Sequence, residues 1–125
     1  MIPAMTDMPD ITGYRFGSIT ISGQAVTSDL MIFPDGRIES GWRRKSGHLL
    51  VFDDIRDLAA AEPDRIIVGT GAYDRMDIAD NLKSRLESIN PNIECFCLKT
   101  EDAVKHYNQS IRKPGRTAAC FHLTC

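Results

Sequence analysis

The run Arg65-Ile66-Ile67-Val68-Gly69-Thr70-Gly71 decides the fold. Its centre is apolar at consecutive positions and β-branched, the pattern of a strand buried on both faces. Reading forward, Ile78, Leu82, Leu86 and Ile89 recur at spacings of four, four and three, which predicts a helix with one buried face. Asn90-Pro91-Asn92 stops that helix, and Ile93 to Leu98 reads as a second buried strand. Thr100 is placed to cap a second helix, with Glu101 and Asp102 in the first turn, where the helix dipole favours carboxylates. Val104, Tyr107 and Ile111 make its apolar stripe, and Glu101 and Lys105 form a supporting i,i+4 pair. Lys113-Pro114-Gly115 breaks it, and Thr117 to Thr124 is the last strand. This is β-α-β-α-β, whose crossovers are right-handed and imply a parallel core.

Reading backward from Arg65, the pattern turns antiparallel. Tyr14 and Phe16 alternate with polar neighbours, as do Ile19 and Ile21, with Gly17-Ser18 between them as a hairpin signal. Leu30 to Phe33 is a further strand, Pro34-Asp35-Gly36 turns it, and Arg37 to Trp42 returns. Arg43-Arg44-Lys45 reads as a solvated basic loop, with a phosphate-binding patch as the alternative. Phe52 to Ala61 is a short helix with Asp53 and Asp54 in its first turn, ended by Glu62-Pro63. The N-terminal β-hairpins should extend the sheet or lie against one side of it. The fold class is α/β, a layered domain with a mixed central sheet.

The chain has 125 residues, which predicts one domain spanning 1–125, with 1–10 as a flexible start. Lys+Arg 15 against Asp+Glu 17 gives a net charge of -2, which argues against a nucleic-acid binder resting on bulk positive charge. No apolar stretch is long enough for membrane insertion. The first residues show no basic n-region, apolar h-region or Arg-rich amphipathic stretch, so the expected location is cytoplasmic.

Cys95 and Cys97 share a strand face, as do Cys120 and His122. A zinc site or a redox pair is conceivable there, but C-x-C is a weak ligand spacing. Cys95, Cys97 and Cys120 read as buried strand cysteines packing as small hydrophobes, with Cys125 an exposed thiol and no metal.

Gly69-Thr70-Gly71 ends a strand ahead of a helix, where open α/β sheets bind ligands. A dinucleotide fingerprint would need Gly or Ala at position 74, which holds Asp74, and there is no P-loop. A tight structural turn and a pocket or partner surface of another kind both stay open. Asn108 borders the buried stripe of its helix, where its amide ties down a neighbouring segment or serves a site. Arg116, entering the last strand, binds an anion or pairs with a carboxylate. His48, His106 and His122 are scattered, with no HExxH and no Gly-x-Ser-x-Gly elbow, so no catalytic constellation and no cofactor site emerges. Asp102 and His106 read as an exposed pair, and Trp42 and Tyr73 as core or loop packing rather than a pocket lining.

The landmarks, in order, resemble a known family. They are Tyr14-Arg15-Phe16-Gly17-Ser18-Ile19, Ser28-Asp29-Leu30 with Pro34-Asp35-Gly36, Trp42, His48, Ile66-Ile67-Val68-Gly69-Thr70-Gly71, and Thr100-Glu101-Asp102-Ala103 running into Tyr107-Asn108 and Gly115-Arg116. The chain resembles the small single-domain family that includes the mitochondrial complex I assembly factor 3 and the adipogenesis-associated domain protein. The resemblance implies a three-layer α/β fold, and the lack of a transit-peptide pattern points to the family's prokaryotic branch. The resemblance implies no established enzyme activity and a protein-interaction or assembly role, linked in eukaryotic relatives to building respiratory complex I. By position, its characteristic residues are Gly69, Thr70, Gly71, Thr100, Ala103, Asn108 and Arg116. Cys97-Leu98-Lys99 and Lys113-Pro114 depart from the family pattern. The expectation is therefore a non-catalytic interaction module with a protein partner, oligomerisation being open. The alternative is a small-molecule or anion-binding domain, a weak enzyme, using Gly69-Thr70-Gly71 with Arg116.

Overall fold

The computed structural model describes residues 8–125. Ten strands and three helices follow in order among the described residues: β1 (Ile11–Arg15), β2 (Ser18–Ile21), β3 (Gln24–Val26), β4 (Leu30–Ile32), β5 (Ile38–Ser40), β6 (Leu49–Leu50), α1 (Arg56–Ala60), β7 (Arg65–Thr70), β8 (Asp77–Ile78), α2 (Leu82–Ile89), β9 (Glu94–Leu98), α3 (Thr100–Ser110) and β10 (Thr117–His122). The central sheet has the order β5-β4-β10-β7-β9. β7 pairs in parallel with both β10 and β9, while β4 pairs antiparallel with β10 and β5. All six residues of β7 and of β10 are buried, as the unbroken apolar run required.

Alternation along these strands sends side chains to two cores. On one face Ile67, Ala119 and Phe121 meet α3 through Ala103, Val104 and Tyr107, together with Ile11, Ile19 and Ile21 of a separate antiparallel β1-β2-β3 sheet. On the other, Ile66, Val68, Ala118 and Cys120 meet Leu58 of α1, Leu82 and Leu86 of α2, and Trp42. Each fully buried aliphatic side chain contributes about 1.5–3 kcal/mol of transfer free energy. The result is a mixed α/β fold in three layers, as the sequence pattern and the resemblance implied.

Several local expectations shift. The β1-β2 turn is Phe16-Gly17, because Arg15 pairs with Ser18, and Gly17 takes the positive φ of 79°. The helix read from Ile78 begins at Leu82, since Ile78 is held extended beside Leu50. Ile89, its last residue, is 55% exposed rather than buried. The helix over Phe52 to Ala61 is a 3-10 turn at Phe52–Ile55 followed by α1. β9 is an outer strand, so Cys97 is exposed and Cys95 half-buried, while Cys120 is buried and Cys125 is half-buried rather than exposed. The flexible start read over 1–10 lies, up to residue 7, outside the described residues. From there Pro9 accepts the Tyr107 hydroxyl at 2.8 Å and Asp10 accepts the Ser22 N–H at 3.3 Å.

Candidate functional site

The carboxyl ends of β7 and β10 gather Gly69, Thr70, Gly71 and Thr100. Thr100 opens α3 but does not cap it; Lys99 holds the cap position. Its hydroxyl is engaged sideways, donating to the His122 carbonyl at 2.6 Å and accepting the Gly71 N–H at 2.9 Å. The Thr100 N–H in turn donates to the Gly71 carbonyl at 3.0 Å. One threonine therefore ties α3 to two strands, which explains why it gives up the capping role. The Thr70 hydroxyl hydrogen-bonds the Asp74 carboxylate and closes the loop from within.

Both glycines are required by the chain's own packing. A Cβ on Gly69 would lie 2.8 Å from Thr100 Oγ1 and 2.9 Å from Phe121 Cδ1. Gly71 has φ 107°, and a Cβ there would lie 2.4 Å from the Cys125 carbonyl carbon. Residues 123–125 run through the space where an α/β ligand would sit. Ala72 N–H donates to the Thr124 carbonyl at 2.6 Å, Arg75 N–H to Cys125 at 3.2 Å, and Gly17 N–H to Leu123 at 2.9 Å. Outside this strand of chain, Phe16 from the β1-β2 turn and Tyr73 from the β7-β8 loop face each other. Their centroids are 5.9 Å apart, yet they are 54% and 65% exposed.

Beneath lies a charged cluster that the sequence reading missed. Asp29, just before β4, accepts the Leu123 N–H at 2.8 Å, Arg44 Nη1 at 3.0 Å and His122 Nδ1 at 2.7 Å. A proton must lie between two such atoms at that distance; with it on Nδ1, Arg44 Nη2, 3.1 Å from the same nitrogen, stands beside the ring without a hydrogen bond to it. Burial works against the Asp29 charge, but the hydrogen bonds from His122 and the Leu123 N–H prevail and hold its carboxyl below the usual range. The Arg44 side chain is 6% exposed, so the middle of the basic run is buried and the solvated-loop reading holds only for its exposed neighbours Arg43 and Lys45. Arg44 also donates from Nε to the Gly47 carbonyl at 2.8 Å and covers the Trp42 ring. His122 Nε2 is buried without a hydrogen-bond partner among the described residues, and the His48 ring stands edge-on to the His122 ring with centroids 6.0 Å apart. An Asp–His pair with a bare Nε2 is the arrangement of a general base. Sealed from solvent, Nε2 meets no substrate in this conformation, and the cluster acts as an ionic pin joining β4, β10 and the 42–48 loop. The available signal was Asp29 at a strand start with a histidine on the last strand, but their separation of 93 positions hides the pairing.

The other two predicted residues lie elsewhere. Asn108 accepts the Ile11 N–H at 3.0 Å and donates to the Ile11 carbonyl at 2.7 Å, clamping β1 to α3. Arg116 sits beside Asp64 at the amino end of the sheet, roughly 20 Å along the strands from Gly71. Its guanidinium donates to the carbonyls of Glu62 at 3.1 Å and Ala61 at 2.8 Å, tying down the end of α1. The pairing of Arg116 with the glycine loop in one anion site is therefore corrected by the parallel register. Trp42 is buried, with its indole N–H on the Asp54 carbonyl at 2.9 Å, and His106 packs on Phe96 at 4.3 Å. Cys95 and Cys97 stay together with sulfurs 4.0 Å apart, while His122 turns to Asp29. Among the described residues no group of three or more His, Cys, Asp or Glu side chains is arranged to hold a metal ion.

A family model described as "Protein of unknown function (DUF498/DUF598)" matches residues 11–122. The chain belongs to the DUF498/DUF598 family. A conserved hypothetical protein of Pyrococcus horikoshii is 27% identical, with a TM-score of 0.79 over 93% of this chain and 99% of that one. A Bordetella pertussis protein described as a Mth938-like domain shares the fold at 18% identity and TM-score 0.72, over 98% of this chain and 90% of that one. A Bartonella henselae protein described as an outer membrane protein shares it at 17% and 0.76, over 94% and 97%. Membership of DUF498/DUF598, with a protein described as a Mth938-like domain among those sharing the fold, bears out the resemblance and its prokaryotic branch. Among the described residues no helix is long and apolar enough to cross a membrane.

Proposed function

We propose that this DUF498/DUF598 chain is a non-catalytic protein-interaction module of the assembly type, acting in the cytoplasm. Its docking surface is the rim formed by Phe16 and Tyr73. The observation carrying this reading is that pair, two aromatic rings in mutual contact that each leave more than half of their surface in water. Aromatic side chains left exposed together are the usual anchors of protein interfaces. The packing of residues 123–125 against Gly71 supports it further, because it fills the space a small ligand would use. Gly69, Thr70, Gly71 and Thr100 then support the surface from beneath, while Asn108 and Arg116 hold the outer elements. The net charge of -2 favours a protein over a nucleic acid as partner. The partner class implied by the resemblance is a subunit of a respiratory complex under assembly.

The test is photo-crosslinking in the native host, with benzoylphenylalanine replacing Tyr73 and, as control, Ile89 at the far end of α2. A discrete protein adduct at position 73, lost when Phe16→Ala is added and missing at position 89, is expected. Equal labelling at both positions, or none at position 73, overturns the docking surface. A recovered partner outside the respiratory machinery removes the narrower assembly reading and leaves the broader one.

A further inference from the structure

The proposed rim makes no use of Cys95 and Cys97. β9 is the outer strand of the central sheet, pairing through Cys95 with Ile66 and through Cys97 with Val68. Two residues apart on a strand, the thiols project to one face, with sulfurs 4.0 Å apart. Cys97 is exposed and Cys95 half-buried, so one sulfur meets solvent while the other sits behind it. At this distance the two thiols share an S–H···S hydrogen bond in which either sulfur can be the donor. That hydrogen bond holds the Cys97 thiol below its ordinary value and, with burial, pushes Cys95 up. A solvent-accessible sulfur with a second thiol directly behind it is the arrangement of oxidation-sensitive cysteine pairs. Cys120, fully buried, lacks the access, and Cys125 lacks a neighbouring thiol within hydrogen-bond reach among the described residues.

We propose that Cys97 and Cys95 form a hydroperoxide-responsive dithiol, Cys97 as the attacking sulfur and Cys95 as the resolving one. The Cys97 sulfur attacks the terminal peroxide oxygen. The O–O bond breaks, an alcohol or water leaves after taking up a proton, and Cys97 becomes a sulfenic acid. The Cys95 sulfur then attacks the sulfenyl sulfur. An S–S bond forms, the S–O bond breaks, and the departing hydroxide takes the Cys95 proton and leaves as water. Two thiols and one hydroperoxide thus give one disulfide, one alcohol (water when the oxidant is hydrogen peroxide) and one water. Cα atoms two apart on a strand are about 6.6 Å from each other, near the upper limit of about 6.8 Å for a disulfide. Bridging therefore bends β9, which its outer edge, unpaired among the described residues, permits. A bond formed under such strain is readily returned to thiols by a dithiol reductant.

The full chain is exposed to a small excess of hydrogen peroxide at neutral pH, with free thiols then alkylated and the peptides mapped by mass spectrometry. The expected product is one intramolecular Cys95–Cys97 disulfide, reversed by dithiothreitol. In Cys95→Ser the sulfenic acid at Cys97 persists and is trapped by dimedone, and in Cys97→Ser peroxide consumption slows about tenfold or more. The wild-type result stands without either variant. Oxidation of Cys125 ahead of Cys97 overturns the proposal. So does dimedone labelling of Cys97 that is as strong in wild type as in Cys95→Ser, or a product made solely of intermolecular dimers.

Discussion

Replacing Asp29 with alanine tests whether the buried cluster holds the sheet together. The carboxylate serves three donors, the Leu123 N–H, Arg44 Nη1 and His122 Nδ1. Asp29→Ala removes all three bonds and leaves the Arg44 cation 6% exposed without its counter-ion. Breaking a buried pair from one side costs about 3–5 kcal/mol, because the remaining charge stays desolvated. At about 2.1 cal/mol/K per residue, a chain of this length has an unfolding entropy of about 0.26 kcal/mol/K, so Tm should fall by about 11–19 °C. Calorimetry at pH 7 reads it directly. Arg44→Met supplies the second arm of a cycle. With the cation gone, the same Asp29→Ala change should cost about 2 kcal/mol less, since neighbours in one network couple. A fall of under about 4 °C, which is about 1 kcal/mol, would refute the reasoning. Strict additivity with Arg44→Met would do so as well, since the carboxylate and guanidinium would then be acting independently.

Acid should act through the same residue. The Asp29 carboxyl is held below its usual value in the fold, so its stabilisation is complete above the unfolded pKa of about 3.9. It is lost as pH falls through the lower folded value, and the Tm gap between wild type and Asp29→Asn should narrow below about pH 4, with a constant gap counting against the assignment. Gly71→Ala forces a side chain into φ 107° and against the Cys125 backbone, which should cost at least about 2 kcal/mol in urea unfolding, seen as a lower midpoint at unchanged slope. Asn108→Ala removes both hydrogen bonds to Ile11, at about 1–3 kcal/mol, and the Ile11 amide should then exchange faster than the β7 amides. Equal slowing or quickening of both sets would mean the clamp is global.

The parallel core was legible because β7 carries its own signal. Six buried residues in a row, followed by a glycine turn, can be read without knowing the partners. Helix α3 was legible for the same local reason, its stripe of Val104, Tyr107 and Ile111 being set by the helical period. What misled was residues whose role depends on distant chain. Thr100 has the chemistry of a cap, and the competing demand from Gly71 and His122 appears once β7 and β10 are side by side. Cys97 sits in an apolar run like that of β7, but strand order puts β9 at the rim. Arg44 reads as one of three solvated cations until Asp29 and His122 close around it.

The glycine loop shows how such long-range demand redirects a functional reading. A Gly-x-Gly at the end of a parallel strand invites a ligand, because absent side chains leave room. Here the room is taken by residues 123–125, and each glycine is explained by a specific atom of the chain itself. Arg116, which would have supplied the charge for an anion, is fixed by the parallel register at the other end of the sheet. The structural reading of the loop therefore needs no ligand. What it leaves unexplained is why Phe16 and Tyr73 stay exposed above that packing, when folding alone would favour covering them. Those exposed rings, rather than the glycines, are what the proposed docking surface rests on.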